Sequence, residues 1–404
     1  MELRTLTDQD LPSLRRLDGL AFGFEASDSR WEAGSAVLER PRQTGAFVDG
    51  LLVGHTAAFT MDLTLPGDMV PAAGVTWVGV SPEYRRRGVM SALMRHQLHA
   101  LVEDGEPVAT LWAAEPAIYG RFGYGVASRK IDVTVPRGPS LSGPGPGDLR
   151  LRLGTSAELM PSCVEVYERV RPRVPGMVTR SDQAWRESSY DEPGERSSSP
   201  IRCVVALDQT DAPQAYAWFR TKARWQHGDP DGTVEVVELL ASSPTATRAL
   251  LDLVLDVDLT ARTQLWNLAL DHPLLTWTQH GHRLQPAIGD QLWLRLVRLD
   301  EALAARTYSQ ELDLVIDVSD HELERNSGRW QLSVDRTGTA TVQRTTRQPD
   351  VGVDVRDLGA AYLGDDHLHR AARAGLVIEH AAGAAHALAR AMRGDRAPWC
   401  SFMF

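Results

Sequence analysis

Cysteine is scarce: three occur in 404 residues, and Cys163, Cys203 and Cys400 are widely spaced. An odd, scattered set forms neither a disulfide framework nor a metal or redox pattern, and it suits a reducing cytoplasm. No apolar run is long enough to span a bilayer, and the start, MELRTLTDQD, lacks the regions of a signal peptide. Positive charge is in deficit, with a formal net charge of −10, which argues against a general affinity for nucleic acid. Neither G-x-G-x-x-G nor a Walker sequence is present. His280/His282 and His367/His369 are spaced two apart but lack further ligands at recognisable spacing, so no metal is expected. With 43% hydrophobic and 24% charged residues, the composition is that of an ordinary soluble globular protein with two or three domains.

The most informative stretch runs from Gly74 to Val102. Val75 to Val80, ending WVGV, is β-rich and predicts a buried strand. Pro82 stops it, and Arg85-Arg86-Arg87-Gly88 leads into a helix with apolar residues at Val89, Met90, Leu93, Met94, Leu98, Leu101 and Val102. A strand, an arginine-glycine loop and a helix N-terminus together make an anion site, because the first-turn amides have no intrahelical partner. Gly88 lets backbone approach a phosphate closely. The bland reading is a solvated basic turn before a core helix; the glycine at the junction tips the balance toward pyrophosphate.

Before this stretch, Glu2 to Leu6 reads as an edge strand. A helix follows with Pro12 in its first turn and Leu11, Leu14, Leu17 and Leu20 at helical spacing. Phe22, Phe24 and Trp31 then lie in a Gly- and Ser-containing segment with Glu25 and Asp28. They either wall a pocket or anchor the core, and the two readings are even. Gly45 to Phe59 predicts a hairpin turning at Asp49-Gly50. After the central helix, Val108 to Trp112 is a strand, and Glu115 leads into IYGRFGYG. Antiparallel strands around one helix with a closing strand indicate an α+β or mixed α/β domain. Tyr119 is either a packed tyrosine in a glycine-rich turn or a proton donor, since a phenol keeps its proton at neutral pH.

RGPSLSGPGPGD, residues 137–148, reads as a linker. Beyond it, VEVVELLASSPTATRALLDLVLDV mirrors the strand, Ser-Pro break and helix of the first part, without the arginines or the glycine. From Leu299 the pattern changes to short strands followed by helices. This gives a division of 1–147, 148–298 and 299–404. The chain ends APWCSFMF, which is unusually apolar for a terminus. Burying one such side chain is worth about 1.5–3 kcal/mol, so the tail is expected to dock, either as a plain anchor or carrying its carboxylate into the protein.

R-x-x-G after a strand, with Y-x-x-x-G downstream, resembles GCN5-related N-acetyltransferases. The three-part order and the aromatic terminus resemble the enhanced-intracellular-survival family of these enzymes. That resemblance implies two acetyltransferase folds, the second degenerate, followed by a sterol-carrier-like α+β domain. It implies acetyl-CoA as cosubstrate and a small cationic amine, aminoglycoside- or polyamine-like, as acceptor. It further implies hexamers, while the composition gives the expectation of a cytoplasmic protein with no nucleic-acid or membrane partner. In residues, it implies acetyl-CoA binding by Val78, Val80, Arg85, Arg86, Arg87, Gly88, Val89, Met90 and Glu115. Substrate contacts fall to Phe24, Asp28, Trp31, Trp77 and Met403. Tyr119 is then the general acid and the Phe404 carboxylate the general base. Met90 stands where the loop pattern has Gly or Ala, and apolar Met403 adds no side-chain carboxylate at the terminus. The alternative is a non-catalytic acyl-CoA or lipid-binding protein using the third domain.

Overall fold

Asp49 and Gly50 both adopt positive φ, 51° and 78°, and so close a two-residue turn between β2 (Gln43–Val48) and β3 (Leu51–Thr64). β1 (Glu2–Thr5) joins β2 at the sheet edge, and α1 (Leu11–Phe22) and α2 (Asp28–Ser35) intervene between them. β3 turns back into β4 (Met69–Val80), and the central α3 (Val89–Glu103) returns the chain to β5 (Val108–Trp112), parallel to β4. The short α4 (Pro116–Tyr119) and β6 (Gly125–Val126) follow. The structure is a computed structural model and describes residues 1–191, 198–279 and 281–404, side chains 282 and 283 apart. His280 and the side chain of His282 therefore lie outside the described residues.

The chain folds into two units that are not contiguous segments. One comprises Met1–Ser128, Val178–Glu187 and Gln291–Phe404; the other comprises Arg129–Met177 and Ser188–Asp290. Each contains a seven-stranded sheet. The second sheet uses β7 (Arg129–Pro136), β8 (Arg150–Thr155), β9 (Arg202–Leu207), β10 (Pro213–Lys222), β13 (Gly232–Ala241), β14 (Thr260–Ala269) and β15 (Ala287–Asp290); a small hairpin, β11 (Trp225–Gln226) with β12 (Asp229–Pro230), lies apart. Its order is β8-β9-β10-β13-β14-β7-β15, against β1-β2-β3-β4-β5-β16-β6 in the first, where β16 is Leu292–Leu296. The two orders correspond strand for strand. Helices α5 (Ser156–Val170), α6 (Asp182–Ser188), α7 (Pro244–Val254) and α8 (Pro273–Trp277) complete this middle part of the chain. The stretch 137–148, read as an inter-domain linker, instead runs inside the second unit between β7 and β8.

After α9 (Leu299–Ala305), a five-stranded sheet is built in the order β19-β18-β17-β20-β21. Its strands are β17 (Leu312–Ser319), β18 (Gly328–Val334), β19 (Ala340–Arg344), β20 (Val351–Asp354) and β21 (Ile378–Glu379), with α10 (Val355–Ala361), α11 (His367–Arg373) and α12 (Ala384–Met392). One continuous core joins Leu63, Val108 and Leu294 of the first sheet to Ile316, Trp330, Leu358 and Leu388. At Gly359 an added Cβ would stand 2.7 Å from the Leu294 carbonyl oxygen, so α10 lies directly on β16. Arg295 and Asp320 form a fully buried ion pair at 2.7 Å across the same seam. Breaking one partner would strand a buried charge, costing roughly 3–5 kcal/mol. His367 donates to Asp357 at 2.8 Å and His369 to Asp366 at 2.7 Å. Among the described residues no group of His, Cys, Asp and Glu is placed to hold a metal, and no helix is long and apolar enough to cross a membrane.

Candidate active site

β4 makes the site. It pairs with β5 only from Ala72 to Gly74, opposite Val108 to Thr110, so from Val75 onward its β5-facing edge has no ladder partner among the described residues. Its pairing with β3 slips between His55↔Gly79 and Ala57↔Thr76. Trp77 and Val78 are therefore left out of the ladder, and Trp77 has φ 51°. This is a β-bulge, the device by which a strand re-aims backbone and side chain. Buried His55 holds it, Nδ1–H donating to the Trp77 carbonyl at 3.1 Å. Burial pushes this imidazole down to about 4, against the opposing effect of that hydrogen bond, so the ring is neutral near pH 7.

At the end of β4 the chain turns through Arg86, φ 62°, and Gly88, φ 82°, into α3. Gly88 is the N-cap and no side chain caps the helix. The first-turn amides of α3 remain available to an anion. In the second unit α7 differs: the Ser243 side chain accepts from the Ala246 amide and occupies that position itself. Arg85, Arg86 and Arg87 are exposed. Arg85 donates to the Ala21 carbonyl at 3.2 Å, and Arg87 lies over the Tyr84 ring. Val80 and Val89 bury their side chains with Ala46, Val53 and Leu93, and Met90 packs against them; a ligand there would meet their backbone. Glu115 is exposed and does not face the neighbouring cavity.

That cavity has a volume of about 830 Å³. Phe22, Phe24, Trp31, Phe59, Trp77, Val78, Trp112 and Tyr119 line it, together with Phe402, Met403 and Phe404 of the tail. Phe24, Trp31, Trp77 and Met403 are thus brought together at one wall or another, and Trp31 and Trp77 meet edge to face at 5.6 Å. Trp31 sits on α2, started by Ser27 accepting from the Arg30 amide, where the sequence suggested a loop. Asp28 is not part of the cavity: it is exposed and pairs with Arg15 at 2.6 Å. Tyr119 is buried edge-on to Tyr124 at 6.1 Å. Desolvation pushes its phenol up to about 12, which keeps it protonated.

The tail is tied down residue by residue. Gln291 Oε1 accepts from the Cys400 amide at 3.0 Å while its Nε2 donates to the Cys400 carbonyl at 2.9 Å. Arg180 donates to Ser401 Oγ at 2.9 Å and stacks on Phe402. Trp112 Nε1 donates to the Phe402 carbonyl at 3.1 Å. Sequence reasoning missed Trp112, Phe59, the Thr179–Glu187 wall and Asp18, all of which line the cavity. For Asp18 a signal existed: it follows buried Leu14 by four residues, on the same helical face. For Thr179–Glu187 there was none, because its place depends on the chain returning from the second unit.

Strands that splay around a bulge, with a glycine-started helix beyond, define the class as a GCN5-related N-acetyltransferase. Residues 2–127 match an acetyltransferase (GNAT) domain family, residues 176–299 match a second one, and residues 299–401 match a sterol carrier protein domain. An N-acetyltransferase of Streptomyces avermitilis is 40% identical over 94% of this chain and 93% of its own. N-acetyltransferase Eis of Mycobacterium tuberculosis is 32% identical over 81% of this chain and 79% of its own. The crystal structure of Eis1 from Mycobacterium abscessus superposes with a TM-score of 0.86 at 32% identity, covering 100% of both chains. The chain belongs to the Eis family, and it is an acetyl-CoA-dependent N-acetyltransferase.

Proposed function

We propose that the enzyme transfers acetyl to a primary amine of a small cationic molecule by direct attack, with Phe404 supplying the base and Tyr119 the acid. The observation that carries this reading is the seating of the last residue in the cavity that Tyr119 also lines. The unpaired β4 edge beyond Gly74 offers backbone donors and acceptors to the amide-bearing arm of acetyl-CoA, as a strand edge does to an extended peptide. The uncapped start of α3, with Arg85 to Arg87, suits its pyrophosphate. Backbone released at the Trp77–Val78 bulge is suited to polarising the acetyl carbonyl.

An amine of pKa about 10.4 is mostly protonated near pH 7, so a base must take a proton before or during attack. The ammonium gives its first proton to solvent before attack, and the Phe404 α-carboxylate takes the second from the nitrogen as the C–N bond forms. As the C–S bond breaks, the sulfur leaves with its electron pair and Tyr119 gives it the phenolic proton. A thiol and an amide result. The test is release of free thiol that requires both acetyl-CoA and an amine, with the acetylated amine identified by mass. Thiol release without any acetylated amine would overturn the reading.

A further inference from the structure

Among the described residues three side-chain carboxylates line the cavity, Asp18, Glu39 and Glu187, and two of them have partners. Glu187 pairs with Arg30 at 2.6 Å. Glu39 accepts from the Thr60 amide at 2.6 Å and from its hydroxyl at 2.7 Å. Asp18, on the cavity face of α1 one turn before Phe22, has no hydrogen-bond or ion-pair partner among the described residues. The nearby cation on its own helix, Arg15, is engaged with Asp28 and the Ala26 carbonyl. Four aromatic side chains, Phe22, Phe24, Trp31 and Trp77, line the same cavity.

A partly buried carboxylate without a partner is costly to hold, and burial pushes this one up to about 6. A ligand cation would remove that cost. Aromatic faces beside it favour a cation and an apolar body together. They offer little to a molecule carrying hydroxyls on every side, whose hydrogen bonds to water would be lost unreplaced.

We propose that Asp18 is a specificity-determining residue that holds a second cationic centre of the acceptor, and that the acceptor is an amphiphilic diamine with an apolar or aromatic body. This rests on the amine acetyltransferase reading above. One ammonium is held at Asp18 while the other, already deprotonated to the free amine, attacks and passes its next proton to Phe404. With one side-chain acid in the lining free of partners among the described residues, the cavity matches two charges separated by an apolar spacer better than a polyhydroxylated polycation.

The experiment compares p-xylylenediamine, benzylamine and kanamycin as acceptors for the full-length enzyme and for Asp18→Asn and Asp18→Glu. For the wild type, kcat/KM is expected to fall in that order. In Asp18→Asn the ratio of kcat/KM between diamine and monoamine should drop about tenfold, carried by KM for the diamine. Asp18→Glu should restore part of that ratio. Kanamycin as the preferred acceptor, or a diamine-to-monoamine ratio unaltered in Asp18→Asn, would overturn the proposal while leaving acetyl transfer standing. Failure of the wild type to acetylate any of the three, with acetyl-CoA still bound, would instead overturn the underlying amine reading and this proposal with it.

Discussion

The ring of Phe404 lies over Gly74: a Cβ built on Gly74 would stand 3.2 Å from the ring's Cε2. Gly74 pairs with Thr110 on the last rung that joins β4 to β5. The chain's final residue is therefore seated where the two strands part, and Phe59 meets its ring edge to face at 6.4 Å. Gly74→Ala would press on this ring and, more closely, on the buried thioether end of Met61. The expected outcome is a folded enzyme with kcat reduced roughly ten- to hundredfold through misplacement of the terminus. Steady-state kinetics beside a circular dichroism melt checks it.

Arg85→Ala/Arg86→Ala should raise KM for acetyl-CoA more than it lowers kcat. Those side chains are exposed beside the uncapped start of α3, and they would contact a part of the cosubstrate whose charge does not change in the reaction. Unaltered acetyl-CoA affinity by calorimetry would remove the loop from the binding site.

Local features of the fold were legible, because neighbours in sequence determine them. The Asp49-Gly50 turn and the Gly88 helix start lie where turn chemistry puts them. What could not be read depends on the chain's path. β7 leaves the first domain to complete the second sheet, and β16 returns to complete the first. No local signal distinguishes a strand that pairs with its own domain from one that crosses over. An earlier, separate return to the first unit carries Thr179 to Glu187 into the cavity wall. Of the four aspartates in the first 30 residues, sequence reasoning assigned Asp28, which stands among aromatics, to the substrate and did not consider Asp18. The structure turns Asp28 to solvent and sets Asp18 in the cavity.

Tyr119→Phe should keep acetyl-CoA binding and lower kcat by roughly 10²–10⁴, the usual range for a lost general acid. Because burial pushes the phenol up to about 12, the wild type should show no loss of rate from tyrosine ionisation between pH 7 and 10. The mutant's deficit should stay constant over that range. A deficit that disappears with rising pH would contradict the assignment.

Asp18 links the cavity to stability. Its folded value, about 6, lies above the ordinary 3.8. Its contribution is therefore fully favourable below pH 3.8 and is lost as pH rises through 6. Asp18→Asn, which carries no charge at any pH, should melt with the wild type at pH 4 and roughly a few degrees above it at pH 7.5. Thermal melts across that window check the sign.

The assignment of the terminal carboxylate is tested most directly by moving it. A variant carrying three glycines after Phe404 displaces the carboxylate while leaving the anchors at Gln291, Arg180 and Trp112 in place. Each added residue can carry it by up to about 3.6 Å. The measurement is kcat for a diamine acceptor, with acetyl-CoA binding and melting temperature as controls for folding. Turnover should fall by roughly 10²–10⁴ with both controls at wild-type values. Wild-type kcat in the extended, folded protein would show that the Phe404 carboxylate is not the base.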